Sequence, residues 1–378
     1  MPGENYQKRP NNEHTETRMS EASRRIAREA RRRIELIASR IPGARTFLKQ
    51  AEEPVAADRV VVISDLHFGN PFAALNNDGS LARLLEALRG MGQIDELVLL
   101  GDIFDFWQAT FPEAVEFGRG LMSALFQLNN VGRMIYVPGN HDHRVVRLYL
   151  DELVSRNLRA GELGPIDLTI PMVEDCPAMQ PLKPAGASVP LYMTYPWHRV
   201  AIQGREALLT HGQLLGFFEQ RFWRPRRQFL NAFLLKRNPS VGLDDIEKFI
   251  APYYELVALS TEVPGVIDGR YRFYRLISRT ARTLGVEREY RVSAERNRSI
   301  EQNAVEIEAL LEHFCEEKPA YFVYGHTHQA GALELPLSGT LAINSGSWLD
   351  DSGDENPRHT IVEITNEARI IDLQPPSG

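Results

Sequence analysis

From about residue 58 onward, short apolar runs alternate with longer stretches of helical periodicity. Arg59–Ser64 (RVVVIS), Glu96–Leu100 and Arg133–Val137 are continuous enough in apolar character to read as strands buried on both faces. Ser80–Arg89, Ala114–Leu128 and Arg144–Ser155 read as helices. The alternation predicts a βαβαβ core with parallel strands and right-handed crossovers. Residues 174–196 hold several prolines and little periodicity, which predicts a surface loop. Arg199–Gln203 and Ala207–Thr210 predict a hairpin around Gly204-Arg205. After a helix at Ile300–Phe314 come five short strands: Ala320–Tyr324, Ala332–Leu335, Leu341–Asn344, Thr360–Ile364 and Ile370–Leu373. This β-rich end predicts a second sheet packed on the first. The expected fold is α/β, a two-sheet β-sandwich flanked by helices.

Two regions break the alternation. Residues 1–17 are polar and predict a disordered tail, and 44–57 predict a linker into a domain spanning 58–373. Between them, residues 18–40 form an Arg-rich stretch with Ile26, Ala30, Ile34 and Ile37 at helical spacing, ended by Pro42 and Gly43. Its apolar stripe is narrow, which favours docking on the domain surface over membrane anchorage. Residues 217–300 predict a helical insertion. Within 217–237, Phe222, Trp223 and Phe229 interleave with Arg221, Arg224, Arg226, Arg227, Lys236 and Arg237, and Glu219 is the lone acid. Residues 269–291 repeat the mixture. Such an insertion can be a lid over a phosphate-bearing substrate, lie on an anionic membrane surface, or contact nucleic acid. The plain alternative is an amphipathic cap packed on its own core with its arginines in solvent.

Composition narrows the class. The chain has 378 residues, 43% hydrophobic and 25% charged, enough for a substantial core. A net charge of −7 excludes a general polyanion binder, so the basic segments matter locally. Cys176 and Cys315 form neither a disulfide framework nor a metal-spaced motif, as expected of reduced thiols. No apolar run reaches about 18 residues, and no transmembrane helix is expected. The N-terminus lacks the apolar stretch of a secretory signal. The expected location is cytoplasmic, peripheral to a membrane if the basic segments touch one.

The chemistry stands at five strand ends: Asp65-Leu66-His67, Gly101-Asp102-Ile103-Phe104-Asp105, Gly139-Asn140-His141-Asp142, His211-Gly212 and Gly325-His326-Thr327-His328. Strand-to-loop junctions are where an open α/β sheet exposes functional side chains. Asp65, His67, Asp102, Asn140, His211, His326 and His328 supply seven oxygen and nitrogen ligands suited to two metal ions, and His141 is left for acid chemistry. The glycines at these junctions are expected to let the backbone turn sharply. The simplest reading is a binuclear metallohydrolase.

This motif series, DxH, GDxxD, GNHD, HG and GHTH, resembles the calcineurin-like metallophosphoesterase superfamily over roughly residues 58–373. The resemblance implies one ion on Asp65, His67, Asp102 and His328, and a second on Asp102, Asn140, His211 and His326. Asp102 is then the bridge. Carboxylate, imidazole and amide ligands suit Mn, Fe or Zn better than Ca, and the absence of thiolates argues against a structural zinc site. Two such ions can each bind a phosphoryl oxygen and activate a hydroxide for in-line attack. The resemblance makes His141 the proton donor to the leaving group, with Asp105 holding its tautomer. Asp142 is expected to orient its loop. His143 is expected either at an exposed helix start or against substrate. Asn344-Ser345-Gly346-Ser347 resembles a segment near the active-site rim of relatives, with a simple turn as the plain reading. His14, His198, His313 and His359 match no motif.

Residues 101–107 (GDIFDFW) resemble the UDP-2,3-diacylglucosamine pyrophosphohydrolase branch, which also inserts a helical lid before its GHTH motif. The expected function is hydrolysis of phosphoric esters or anhydrides. A lipid-linked nucleotide pyrophosphohydrolase is the narrower alternative. A non-catalytic scaffold of the same fold is the alternative from another class, and it would be expected to lack ligands.

Overall fold

The computed structural model describes residues 20–40, 54–76, 78–162, 164, 166, 168–174, 176–218, 243–263, 298–349 and 359–373. The chain begins with α1 (Glu21–Arg40), β1 (Val55–Ala57), β2 (Val60–Ile63), α2 (Asp78–Gly90), β3 (Ile94–Leu99), α3 (Phe111–Phe126), β4 (Val131–Tyr136) and α4 (Arg144–Ala160). It continues with β5 (Ile170–Glu174), β6 (Leu191–Tyr195), β7 (Trp197–Ile202), β8 (Arg205–Thr210), α5 (Leu215–Phe218) and α6 (Leu243–Ser260). The last elements are α7 (Ile300–Phe314), β9 (Tyr321–Tyr324), β10 (Gly331–Glu334), β11 (Leu341–Asn344), β12 (Thr360–Ile364) and β13 (Ala368–Asp372).

These strands make two sheets, one ordered β13-β12-β2-β3-β4-β6-β5 and the other β1-β7-β8-β9-β11-β10. The period-2 alternation of strand side chains decides what each sheet touches. Val60, Val62, Val98, Leu100, Ile135 and Val137 point between the sheets, where they meet Val200, Ile202, Leu209, Val323 and Ile343. Their neighbours Val61, Ile63, Leu97, Leu99 and Tyr136 point the other way, onto Leu84, Leu88, Leu121 and Leu125 of α2 and α3. The outer face of the second sheet, through Leu208, Phe322, Tyr324 and Ala342, packs with Ala304, Leu311 and Phe314 of α7. The result is the expected two-sheet sandwich between helices.

Side chains also mark the helix ends. The backbone N–H of Thr110 donates to Glu113 at 3.0 Å, and that of Ser299 donates to Gln302 at 3.0 Å, so α3 and α7 both begin on reaching-back N3 residues.

Several expectations need correction. The segment 174–196 is not a loop throughout: Leu191–Tyr195 forms β6, parallel to β4, and β5 covers its far edge. Pro190 and Pro196 bound this five-residue strand rather than abolish it. The expected linker contains β1, an edge strand parallel to β7. The hairpin turns at Gln203-Gly204, one residue earlier than expected. Both have positive φ (50° and 77°), as a two-residue primed turn requires. β12 and β13 do not join the second sheet; they extend the first, antiparallel to β2.

α1 docks along α7. Ile26 and Ala30 are buried among α7 residues, and Arg33 Nη1 lies 3.4 Å from Glu306 Oε1. The tail, the basic-aromatic segments at 219–242 and 269–291, and hence Phe222, Trp223, Phe229 and Arg226, lie outside the described residues.

Candidate metal centre

Strands β2, β3, β4, β8 and β9 end at one place, and their loops carry the polar residues singled out above. Backbone bonds extend the sheet order past the strand ends. Asp65 N–H donates to Gly101 O (3.0 Å), His67 N–H to Asp102 O (2.8 Å), and Gly325 N–H to His211 O (3.0 Å). Asp65 (φ 54°), His67 (53°), Asp102 (52°), His326 (67°) and His328 (59°) all adopt the left-handed conformation. For residues with a Cβ this costs about 1–3 kcal/mol each, and such strain persists where surrounding structure imposes it, typically at functional sites. Gly139 and Gly325 serve a purpose other than the expected sharp turn. Neither has positive φ, but a Cβ on Gly139 would strike Asp102 and one on Gly325 would strike Asp65.

The side chains converge in overlapping clusters. Asp65, His67 and His328 place one ligand atom each within 4.8 Å of one another, and so do Asp102, His211 and His326. A third group, His67, Asp102 and a ring nitrogen of His141, joins the two. His328 Nε2 lies 3.2 Å from Asp65 Oδ1, and His211 Nε2 lies 3.1 Å from Asp102 Oδ2. Asn140, adjacent in the chain to His141, is buried, and its Oδ1 has no hydrogen-bond partner.

Electrostatics supports a cationic occupant. Asp65, Asp102 and Asp105 are almost completely buried, and burial alone would raise their pKa values. Neighbouring imidazoles more than offset this and hold all three below the usual carboxylate range. Burial opposes protonation of His211, yet Asp102 and Asp65 push its pKa up to about 10. The two carboxylates thus favour positive charge at His211 Nε2, which a divalent ion bound there would supply in place of the proton. Burial pushes His326 down to about 3 and lowers His67, leaving both neutral, the form in which imidazole binds metal. His211 Nδ1 donates to Leu100 O at 3.0 Å, which aims Nε2 at Asp102. Asn140 Oδ1, buried and without a hydrogen-bond partner, is what a metal site leaves open. The donor set fits two divalent ions, with Asp102 in two of the three groups.

Beside this pocket, His141 Nδ1 lies 2.8 Å from Asp105 Oδ1. Asp105 also accepts from Asn70 Nδ2 (3.1 Å) and from Trp107 N–H (3.2 Å), and the Trp107 ring stacks on His141 with centroids 4.0 Å apart. Asp142 ties the β3 and β4 loops together, accepting from Ile103 N–H (2.9 Å) and Tyr136 OH (2.6 Å). Burial and nearby Asp102 raise its pKa to about 6. His143 is not at an exposed helix start: it is buried, with Nδ1 2.9 Å from Glu255 Oε1 on α6.

The 344–348 segment is more than a turn. Ser345 Oγ meets Ser64 Oγ at 2.6 Å, Trp348 N–H donates to Asp65 O at 3.0 Å, and Asn344 Nδ2 donates to Thr327 Oγ1 at 2.8 Å, between His326 and His328. Sequence reasoning missed Asn70, Asn303 and Glu255. Asn303 Nδ2 also reaches Thr327, at 3.3 Å. Asn70 follows the first motif by three residues, and its polarity before a turn is the one available signal; the other two act from remote helices and give none. His198 and His359 lie apart from the pocket, paired with Glu96 and stacked on Trp348 respectively, and His14 is outside the described residues.

No curated protein matches the chain. Among solved structures, a dimetal phosphatase from Danio rerio is 13% identical, with 85% of this chain and 100% of that one covered and a TM-score of 0.36. A hypothetical protein from Pyrococcus horikoshii OT3 is 12% identical, covering 83% and 87%, at 0.36. A predicted phosphoesterase from Streptococcus pneumoniae TIGR4 is 12% identical, covering 84% and 90%, at 0.30. The family model for calcineurin-like phosphoesterases matches residues 58–241, which hold the DxH, GDxxD, GNHD and HG motifs, and this match supports a metal-dependent phosphoesterase.

Proposed function

We propose that residues 58–373 hydrolyse phosphoric esters or anhydrides at a two-metal centre, with His141 as proton donor and Asp105 as its orienting partner. The observation that carries this reading is that Asp102 groups both with His211 and His326 and with His67 of the other cluster, with the His141–Asp105 pair alongside. Asp65, His67 and His328 hold one ion with Asp102; Asn140, His211 and His326 hold the other with it. Bound divalent ions, manganese in our proposal, would polarise the phosphoryl oxygens and lower the pKa of water. Asp105 fixes a proton on Nδ1 of His141, so Nε2 is the atom that serves the leaving oxygen. Trp107 covers the imidazole face and limits its rotation.

The insertion is the element we assign to substrate choice. Its described helix α6 carries exposed Tyr253, Leu256 and Leu259, and the Tyr253 ring lies 6.1 Å from that of Trp107. An apolar surface beside the proton donor favours an amphiphilic substrate, and a lipid-linked nucleotide pyrophosphate is the narrower reading. The test is a manganese-supplemented panel of p-nitrophenyl phosphate, bis-p-nitrophenyl phosphate and a nucleoside diphosphate lipid, run with metal analysis. The proposal expects two ions per chain and manganese-dependent turnover. A chain that binds two ions and turns over no phosphoester would overturn it in favour of a scaffold.

A further inference from the structure

The insertion helix α6 is fastened to the loop that carries His141. Glu255, on α6, has a side chain only 15% exposed. Its Oε1 accepts from His143 Nδ1 at 2.9 Å and its Oε2 from Arg144 Nη1 at 3.1 Å. His143 and Arg144 follow directly on Asn140-His141-Asp142. Burial alone would raise the Glu255 pKa, and its bonds to His143 and Arg144 outweigh that and hold it down. A buried, charged contact of this kind fixes geometry more strictly than apolar packing does.

The contact puts aromatic rings next to the proton donor. Trp107 stacks on His141, with centroids 4.0 Å apart and planes at 29°. Tyr253 and Tyr254 each lie 6.1 Å from Trp107, edge-on at 87° and tilted at 39°. Tyr254 also packs 5.6 Å from His143, while Tyr253 remains 55% exposed. The proposed two-metal chemistry uses neither tyrosine, nor Glu255.

We propose that Glu255 latches α6 beside His141 so that Trp107, Tyr253 and Tyr254 wall the leaving-group subsite, which takes phosphoesters whose leaving group carries a planar ring. The proposal rests on His141 being the proton donor. A donor must touch the leaving oxygen, so whatever is bonded to that oxygen lies within a few bonds of the imidazole. Asp105 occupies one edge of the ring and Trp107 one face. A leaving group that extends along Trp107 then reaches Tyr253, which is 55% exposed and presents an aromatic ring for edge or offset stacking. Tyr253 and Trp107 are specificity-determining residues in this account; Glu255 is a positioning residue.

The experiment compares 2-phenylethyl phosphate with ethyl phosphate, esters of similar leaving-group basicity that differ in a ring. It uses the manganese-loaded full chain, Tyr253→Ala and Glu255→Gln. Binding of the matching phosphonates, which cannot be hydrolysed, is measured in parallel, with hydrogen exchange across 243–260. The proposal expects Tyr253→Ala to lower kcat/KM for the phenylethyl ester about 3–10-fold, the worth of one ring contact, with ethyl phosphate within about twofold. Glu255→Gln is expected to do the same and to speed exchange in α6. Equal loss on both esters, or no loss on either with Tyr253→Ala, would overturn the subsite. Unchanged exchange in Glu255→Gln would overturn the latch. If the unaltered chain hydrolyses neither ester yet binds the phenylethyl phosphonate more tightly than the ethyl one, the subsite stands and the hydrolase reading fails. Equal binding of both phosphonates overturns the subsite whatever the turnover.

Discussion

Asp102 sits in the His211–His326 cluster and in the group that joins it to His67, and its Oδ1 also accepts the backbone N–H of His141 at 2.8 Å. An amide in its place keeps the shape but cannot neutralise two cations. Asp102→Asn is therefore expected to weaken metal binding by more than about 100-fold, beyond the cost of disturbing an outer partner. Metal content after gel filtration checks this, and a variant that retains two ions would remove the bridging role. His141→Ala makes a different prediction. It should keep metal content while turnover falls by about 10²–10⁴-fold, the usual contribution of a positioned acid. The fall should shrink for p-nitrophenyl esters, whose leaving groups need little protonation. Equal losses on p-nitrophenyl and alkyl esters would make charge stabilisation the better account. Candidate residues of this kind are legible because strand-end Asp, Asn and His are rare without purpose. Their supports are less so: Asn303 reaches Thr327 from a helix remote in sequence with no local pattern to mark it, and Asn344, which also reaches Thr327, is marked only by the resemblance of its segment.

Elements were legible in proportion to their local signal. The parallel strands β2, β3 and β4 could be read because burial on both faces demands unbroken apolar runs. β6 could not, because Pro190 and Pro196 look like loop composition, whereas the covering strand β5 and the core beneath make a strand of the five residues between. Sheet membership was also beyond reach. Nothing local tells β12 to pair with β2 rather than with β11; the choice is set by which edge remains open. α1 is legible as a helix, but its seat comes from shape. Ala30 is completely buried against α7, where no larger or charged side chain fits. Ala30→Asp should therefore unseat α1 and cost about 2–4 kcal/mol, through burial of an unpaired charge or loss of the interface. Urea unfolding measures this. A change under about 0.5 kcal/mol, the usual size of a surface effect, would mean that the docked face contributes little to stability.

The two sheets are joined by more than apolar contact. Glu96 on β3 points between them, its Oε2 2.7 Å from His198 Nε2 on β7 and its Oε1 3.0 Å from Arg133 Nε on β4. Neither Glu96, read as the opening of an apolar strand, nor His198, matching no motif, announces this pairing in sequence, because it depends on the register of two sheets. Burial alone would raise the Glu96 pKa, but His198 and Arg133 outweigh it and leave the value below its ordinary 4.5. A carboxylate whose folded pKa is depressed stabilises the fold fully above its unfolded pKa, and that contribution disappears as pH falls through the folded value. Glu96→Gln should thus cost about 2 kcal/mol near neutral pH, less than a fully buried broken pair because Arg133 is partly exposed and the amide can still bond. The gap between variant and parent should close as pH drops below about 4.5. Acid unfolding will also draw on Asp65, Asp102 and Asp105, whose pKa values are held down as well. Those residues are common to both proteins, so the difference between their unfolding curves isolates Glu96. Thermal or urea unfolding of the pair from about pH 3 to pH 7 checks the sign. A gap that stays constant across that range would assign the loss to packing rather than charge.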